Sequence, residues 1–383
     1  MKNKVKKKSH LFNFLLTPAL FLALAQGAMA AGDYVTGDFH QHTTSTDGSY
    51  SYEYMMEKNN AYGLDWWTQS EHGGGFPRDG RYGMDNGGDR FYDTYSPNPI
   101  LGDVVKSGGH QVMWRWQSLR DFQSKDAAKA RVEYPGRMIF QGYEWNMPGH
   151  EHCSTSIITE QFDKLNPNTN AIAEFEYKFD NNDSDVSGGA AQGWVKSALA
   201  KHAKAVEAVA WMQKNHQYTS YAVPAHIERK GTAATGGYDI NHFRDLNNAG
   251  PDVCFGFEGI PGHQAGHERG GFSSSAIGKG TYGGAGYYSA QVGGLWDALL
   301  GEGRNWWVFS NGDCHLNWTD GGEDFWPGEY QKNYVNVADT SSPRAYIDGL
   351  RSGNIFAVSG DLINALDFKV IDRSFPLNSA TMG

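Results

Sequence analysis

Short apolar runs alternate with helical patterns along most of this chain. Such alternation is typical of βα units, in which helices join the parallel strands of one sheet. The predicted strands cover residues 34–39, 64–69, 138–143, 220–224, 253–257 and 305–309. The predicted helices cover residues 119–132, 194–214 and 291–300, with a weaker pattern at 240–248, and one more strand, helix and strand follow Trp326. The sequence therefore predicts one large α/β domain with parallel strands over residues 31–370.

The two ends of the chain differ from this pattern. Five lysines between Lys2 and Lys8 precede an apolar run over residues 11–25, which is followed by Ala28-Met29-Ala30. This order predicts a secretory signal peptide over residues 1–30 and a periplasmic or secreted protein. A membrane anchor is the alternative, but the run is shorter than the roughly 18 residues that a span needs. Residues 371–383 end without a clear terminator, so we expect them to begin a truncated C-terminal extension, or else to be a plain C-terminus.

Charge and cysteine content exclude some classes of protein. Without residues 1–30, the chain keeps 28 Lys and Arg against 43 Asp and Glu, so its net charge moves from −10 to −15. An acidic protein is a poor general binder of nucleic acid, since phosphate backbones attract basic surfaces. The cysteines, Cys153, Cys254 and Cys314, are too few for a disulfide framework. We expect at most one pair among them, and a buried thiol at Cys314.

Three segments rich in Gly, Asn, Asp and Tyr interrupt the pattern. Two cover residues 73–109 and 159–193, and a third follows the strand predicted at 253–257. Because they show little periodicity, they are predicted to be long loops over one end of the barrel or sheet. They either form a deep mouth for a ligand or only decorate the surface.

Histidines and carboxylates recur where the predicted strands end. Five strand ends carry them, as His40 and His42; Glu71 and His72; Glu144, His150 and His152; His226; Asp313 and His315. Parallel α/β barrels build their active sites at this end of the strands. Core packing does not require such residues at five strand ends, so the pattern predicts a common site.

The first of these groups has the spacing of a metal site. In extended backbone, His40 and His42 point to the same side, because side chains alternate between the two faces; Asp47 follows five residues later. Imidazoles and carboxylates together favour zinc, manganese or iron over calcium. Since the candidates outnumber the ligands of one tetrahedral ion, we expect two or three ions that share a bridging carboxylate.

The ordered motifs "HQHTTSTDG", "SEH", "GYEW", "AHIE" and "GDCH" resemble the polymerase and histidinol phosphatase (PHP) superfamily of metal-dependent hydrolases. The resemblance extends from Gly37 to about Asn317 and implies a distorted TIM-like (β/α)7 barrel with a trinuclear site. It implies that the first metal is held by His40, His42 and Asp313. Glu144 would bridge to a second metal, held with His226 and one of His150 or His152. His152 is favoured because it directly precedes the apparent strand "CSTSII"; the third metal would be held by Asp47, His72 and His315.

The same resemblance implies hydrolysis of a small phosphorylated substrate. Paired divalent ions activate a water and clamp a phosphoryl group, and the chain has no G-x-S-x-G motif for a serine nucleophile. The predicted catalytic residues are Glu144, Asp313, His226 and Arg229; Arg229 is the first candidate to bind phosphate, ahead of Arg78 and Arg269. Glu258 and His263, in "GFEGIPGHQ", are expected to contact substrate, to support the ligands or to form a structural turn.

Two other functions remain open at this point. One is an amide or ester hydrolase of the amidohydrolase type, which usually carries a metal-bridging lysine where this chain has Glu144. The other is a protein that binds metal or carbohydrate without turnover, for which the 14% aromatic content would be suited. The apparent completeness of the ligand set argues against a pure binder.

Overall fold

The structure is a computed structural model that describes residues 32–158, 170–231, 236–266, 281–371 and 379–381. The predicted signal peptide and Arg269 lie outside the described residues. Among the helices that the model does describe, none is long and apolar enough to cross a membrane.

Seven of the fifteen strands in the described ranges form one curved sheet. The fifteen strands are β1 (Asp33–Asp38), β2 (Trp66–Gln69), β3 (Gly75–Phe76), β4 (Lys106–Ser107), β5 (His110–Gln111), β6 (Met113–Trp114), β7 (Met138–Asn146), β8 (His152–Ile157), β9 (Ser220–Pro224), β10 (Gly256–Ile260), β11 (Trp307–Ser310), β12 (Gln331–Val337), β13 (Ile355–Ser359), β14 (Lys369–Ile371) and β15 (Ser379–Thr381). The main sheet has the order β13-β12-β1-β2-β7-β8-β9. Small two-stranded sheets pair β3 with β6, β4 with β5, and β14 with β15.

The centre of the sheet is parallel, as predicted. Strand β2 lies between β1 and β7, with Trp66 paired to Gly37 on one side and to Met138 on the other. All four residues of β2 are buried, as expected for a parallel strand covered on both faces. Strands β10 and β11 form a second parallel pair, with β10 beside β9 and β11 beside β12 and β13. The chain is thus a mixed α/β protein with a curled, barrel-like sheet.

The prediction of parallel strands does not hold for β8 and β12. Strand β8 runs antiparallel between β7 and β9, and β12 runs antiparallel beside β1. The reason for β8 is the length of its connection, since β7 and β8 are joined by residues 147–151 alone. So short a turn joins antiparallel strands, whereas a parallel pair needs a crossover of about a dozen residues.

The described ranges contain ten α-helices, several of which pack against the strands. They are α1 (Tyr52–Ala61), α2 (Arg115–Ser118), α3 (Ser124–Glu133), α4 (Ala171–Phe179), α5 (Ser187–Ala190), α6 (Lys201–His216), α7 (Ile240–Ala249), α8 (Tyr287–Ala290), α9 (Leu295–Gly301) and α10 (Pro343–Ser352). A π-helical turn, Leu119–Gln123, joins α2 to α3 within the helix predicted at 119–132. The helix predicted at 194–214 begins only at Lys201, because Ala200 is still extended.

Local sequence explains two helices that the pattern did not predict. Helix α1 begins where the Ser51 side chain accepts a hydrogen bond from Tyr54 N–H, and it buries Met55 and Met56. Helix α4 lies within residues 159–193, which were predicted to be a loop. Its residues Ile172 and Phe175 are buried, so the loop prediction is wrong there. The composition of the whole segment hid this short amphipathic pattern.

Candidate metal centre

His40 and His42 lie just beyond β1, on extended backbone that continues the strand. Gln41 between them forms a parallel bridge with Cys314, which holds this segment against the chain that leaves β11. Both imidazoles are fully buried, and their ring centroids are 5.3 Å apart. The pair therefore faces one common space, as the His-x-His spacing predicts.

Glu144, within β7, is the centre of this space. Its carboxylate lies within 3.3 Å of one ring nitrogen from each of five histidines: His72 (2.7 Å), His152 (2.7 Å), His226 (3.0 Å), His40 (3.1 Å) and His42 (3.3 Å). The two carboxylate oxygens divide these contacts, since Oε2 faces His42 and His72 while Oε1 faces the other three. One carboxylate is thus placed to serve two cations.

Asp313, which follows β11, is the second buried carboxylate of the space. Its Oδ1 atom lies 3.1 Å from the Nε2 atoms of both His40 and His42. Its Oδ2 atom lies 3.4 Å from His226 Nε2 and 2.7 Å from His263 Nε2. Asp313 therefore closes the side of the space opposite to β7.

Asp47, His72 and His315 form the outer part of the same centre. Asp47 Oδ2 is 3.1 Å from His72 Nε2, and Asp47 Oδ1 is 3.4 Å from His315 Nε2. With His42, these residues offer four ligand atoms that all lie within 4.8 Å of one another. Asp47 is 49% exposed, whereas Glu144 is fully buried. The centre consequently opens to solvent on the Asp47 side.

The contacts of His40 show that this space requires a positive charge. Its Nδ1 lies 2.9 Å from Glu258 Oε2, so the Nδ1–H donates to that carboxylate. The lone pair on Nε2 then faces Glu144 and Asp313, each with an oxygen at 3.1 Å. Three groups that all present electron pairs are stable together only if a proton or a metal ion lies between them.

Other buried polar atoms of the centre also lack a hydrogen-bond partner. They make no hydrogen bond although they lie close to one another: His40 Nε2, His42 Nε2, His72 Nδ1, Glu144 Oε2 and both carboxylate oxygens of Asp313. Each such atom costs about 1–3 kcal/mol when it is buried without a partner. Imidazole nitrogens and carboxylate oxygens are ligands of zinc, manganese and iron. The residues present therefore fit a group of divalent transition metals.

Electrostatics in the centre agrees with this donor set. Burial alone raises the pKa of Glu144, but the charges of His152, His72 and His40 hold that pKa well below its ordinary value. Burial lowers the pKa of His72, yet Glu144 and Asp47 together raise it to about 10. The anionic carboxylates thus stabilise positive charge at this place, whether a proton or a metal ion supplies it.

Backbone strain is concentrated at the centre. Four non-glycine residues in the described ranges have positive φ, and three of them are His226 (52°), His263 (57°) and Asp313 (48°). This left-handed conformation costs roughly 1–3 kcal/mol for each residue, and it persists where the surroundings impose it. At these three positions, it turns the side chain inward directly after a strand.

Several side chains outside the predicted ligand set support the centre. Asp324 accepts from the His315 and Leu316 N–H groups and also contacts His263 Nδ1. Sequence reasoning did not identify Asp324, because no motif marks it. His263 was named as a residue of uncertain role, and its Nε2 contacts Asp313. Ser154 donates to Glu258 at 2.6 Å and so fixes the carboxylate that supports His40.

Other predicted residues lie around the centre with different contacts. His150 does not contact Glu144, and instead its Nε2 lies 2.8 Å from His202 Nδ1. Glu71 is buried and accepts hydrogen bonds from the Thr43 N–H (3.1 Å) and the Thr46 hydroxyl (2.7 Å), so it braces the turn that leads to Asp47.

Of the three arginines predicted to bind phosphate, Arg78 and Arg229 lie in the described residues, and they differ in what they contact. Arg78 Nη2 donates to the carbonyls of Thr46 and Gly48, on either side of Asp47, while its Nη1 donates to Asp89. Arg229 Nη1 lies 3.6 Å from Glu151. After burial, the Arg229 charge is the next cause that holds the pKa of His226 well below its ordinary value, so Arg229 acts electrostatically on the centre.

All three cysteines are buried as free thiols. The backbone carbonyl of Cys314 accepts a hydrogen bond from the His42 N–H, at 2.9 Å. The expected buried thiol at Cys314 is therefore present, and none of the three cysteines is paired.

Comparisons with known proteins yield similarity at the level of structure only. No protein-family model and no curated protein matches the chain. One similar solved structure is a two-domain protein from Bacteroides vulgatus that contains a predicted PHP-like metal-dependent phosphoesterase. It has 14% identity and a TM-score of 0.41, and the match covers 87% of this chain and 67% of that chain.

A second similar structure is a protein from Bifidobacterium adolescentis described as a metal-dependent phosphoesterase. It has 12% identity and a TM-score of 0.36, and the match covers 76% of this chain and 90% of that chain. Metal-dependent phosphoesterases, one of them PHP-like, are thus among the structural neighbours of this chain. Both TM-scores are below 0.5, so the likeness extends to the fold only in outline.

Proposed function

We propose that this protein is an exported metal-dependent hydrolase that cleaves a phosphoric ester at a centre of two or three divalent ions of zinc, manganese or iron. The observation that carries the proposal is the convergence on Glu144 of five histidines that approach from four different strand ends. The proposed ligands are His40, His42, Asp47, His72, Glu144, His152, His226, Asp313 and His315.

The residues around the ions have distinct roles in this proposal. When bound, paired divalent ions supply a water of lowered pKa and a Lewis acid for the phosphoryl oxygens. Glu144 would help to hold the ions, since its two carboxylate oxygens face different histidines. Glu258 keeps the proton of His40 on Nδ1, so that Nε2 is free to bind. Asp313 and His226 close the buried side and exclude bulk water.

Substrate reaches the centre from the Asp47 side, which is the exposed one. Arg229 is proposed to contact the phosphoryl group, because its charge already acts on His226 and its guanidinium presents several donors. Glu151 contacts this arginine in the absence of substrate and would have to release it. The substrate is a small phosphorylated molecule, and neither nucleic acid nor membrane is proposed as a stable partner of the mature protein.

A phosphoric ester is favoured over an amide by the ordered sequence motifs and by the bridging group. The amidohydrolase type usually carries a lysine between its metals, and here the central residue is Glu144. Export is proposed from residues 1–30 alone. It is checked by mass spectrometry of protein recovered from the periplasm or medium, which should begin at Ala31.

The test of the activity is a panel of phosphomonoesters, phosphodiesters, amides and lactones, offered to protein of known metal content. We expect more than one equivalent of transition metal per chain and turnover of phosphoesters. Turnover of amides or lactones alone would favour the amidohydrolase type. Metal content near zero after equilibration with zinc and manganese would overturn the proposal altogether.

A further inference from the structure

Three histidines form a second cluster that the centre around Glu144 does not use. His150 lies in the turn between β7 and β8, His202 is in the first turn of α6, and His242 is in the first turn of α7. Their ring centroids are 4.5 to 5.0 Å apart. One ring nitrogen from each lies within 4.8 Å of the other two. Three segments that are distant in sequence thus bring three imidazoles to one point.

One histidine of the cluster is already oriented for binding a cation. His202 Nε2 lies 3.2 Å from the Asp245 carboxylate, so the Nε2–H donates there and Nδ1 keeps its lone pair. That lone pair points at His150 Nε2, at a distance of 2.8 Å. A carboxylate behind a ligating imidazole is the usual support of histidine ligands in metal sites.

His242 can supply the third ligand atom with a small change at the start of α7. Its Nδ1 accepts from the Asp239 N–H at 3.1 Å, as part of a capping box. The Asp239 Oδ1 atom lies 3.6 Å from the same nitrogen. If the proton of His242 moves from Nε2 to Nδ1, Nδ1–H can donate to Oδ1 and Nε2 becomes free to bind.

His150 is the buried member, and it is incompletely satisfied. Its ring stacks on Tyr238 with centroids 4.5 Å apart and planes 10° apart, which fixes its orientation. Its Nδ1 is buried without a hydrogen-bond partner. Packing alone would be served better by an apolar side chain, since an unpaired buried nitrogen costs free energy.

The backbone of the turn at Gly149 also lies close to the start of α6. Gly149 has φ 84°, and a Cβ there would lie 2.8 Å from the backbone nitrogen of His202. Lys201, which precedes His202, is the fourth non-glycine residue of the described ranges with positive φ, at 54°. The left-handed conformation at Lys201 persists where the surroundings impose it, and the turn that carries His150 lies directly beside it.

We propose that His150, His202 and His242 bind one zinc ion, separate from the centre around Glu144. Three neutral imidazoles without a carboxylate among the direct ligands favour zinc over magnesium or calcium, which take oxygen ligands. The ion would tie the turn of residues 147–151 to α6 and α7. Because His152 follows this turn directly, the ion would hold that residue in place. The inference does not depend on the proposed hydrolysis.

The decisive measurement is anomalous diffraction at the zinc edge from crystals of the unmodified protein equilibrated with zinc. We expect a peak between the three imidazoles, in addition to any peaks near Glu144. Absence of a peak there, with peaks present near Glu144, would overturn the inference. This experiment does not depend on whether any variant folds.

Equilibrium dialysis against zinc provides the second measurement. His202→Gln should bind one equivalent less than the unmodified protein, whereas His110→Gln, which changes a histidine that contacts Asp93 elsewhere, should bind the same amount. Glu144→Gln should lose zinc from the centre around Glu144. Crystals of this variant should still show the anomalous peak among the three histidines. Equal zinc content in His202→Gln and His110→Gln would contradict the inference.

Discussion

His152 Nδ1 lies 2.7 Å from Glu144 Oε1 although the two residues belong to strands that run in opposite directions. Glu144 lies near the carboxyl end of β7, and His152 opens β8. Because β8 is antiparallel, its amino end is at the same rim as the carboxyl ends of β1, β2, β7 and β9. The direction of β8 therefore adds a ligand atom to a rim that parallel strands build.

Glu144→Gln should abolish hydrolysis and remove metal. The amide keeps the shape but loses the charge that five histidines face, so we expect activity to fall by more than about 100-fold, since even supporting residues of metal sites are worth 10–100-fold. Elemental analysis and initial rates check this. Glu57→Gln, at an exposed residue of α1, is the matched control and should behave as the unmodified protein. Retained activity in Glu144→Gln would contradict the bridging role.

Glu258 should matter through His40 rather than through substrate. Glu258→Leu removes the acceptor of the His40 Nδ1–H and should weaken metal affinity by about 10–100-fold. Glu258→Gln keeps an acceptor and should weaken it less. Metal titrations at several concentrations measure the affinity, and excess metal should restore much of kcat. Unchanged affinity in the leucine variant would show that Glu258 does not position His40.

Arg78 should support the ion that is proposed to bind at Asp47, His72 and His315. Its side chain donates to the carbonyls of Thr46 and Gly48, so Arg78→Gln should loosen the loop that carries Asp47. We expect the variant to bind about one equivalent of metal less, while the buried ions remain. Arg344→Gln, which changes an exposed arginine paired with Asp348 in α10, is the control. Equal metal content in both variants would assign Arg78 no part in the site.

Removal of metal should destabilise the fold. The buried carboxylates and imidazoles of the centre lose their common partner, so the melting temperature should fall on treatment with a chelator. Adding metal at 100 times its Kd should restore about 2.7 kcal/mol for each independent site. Thermal unfolding with and without chelator measures this. A melting temperature that does not respond to metal would argue that no ion binds the folded state.

Glu228 should make stability depend on pH. Burial raises its pKa to about 8, above the value of about 4.3 expected in the unfolded chain. Between these two values, the folded state holds a proton that the unfolded state has lost, so stability should decrease as pH rises from about 5 to 8. Glu228→Gln should be more stable than the unmodified protein at about pH 8, and the difference should vanish below about pH 4. Urea unfolding at several pH values checks the sign; parallel pH profiles for the two proteins would contradict it.

Much of the fold was predictable from local pattern. The strand at 220–224 is observed with those bounds, and most other predicted strands overlap the observed ones. Periodicity and apolar runs report burial locally, so they predict the existence of strands well. They do not report direction, and the antiparallel course of β8 followed from the short turn at residues 147–151. Helix α4 was missed because the composition of its surroundings concealed its amphipathic pattern.

The candidate site divides in the same way. Local sequence was enough to predict that His40 and His42 share one side, because alternation along a strand is a local property, and that ligating residue types follow several strands. Three contacts could be read from the three-dimensional structure alone: His152 faces Glu144, His150 faces His202, and Asp324 contacts His263. These contacts depend on which segments meet in space. The distance between two such segments is set by the packing of all the helices and strands between them, and the residues adjacent in the chain do not determine it.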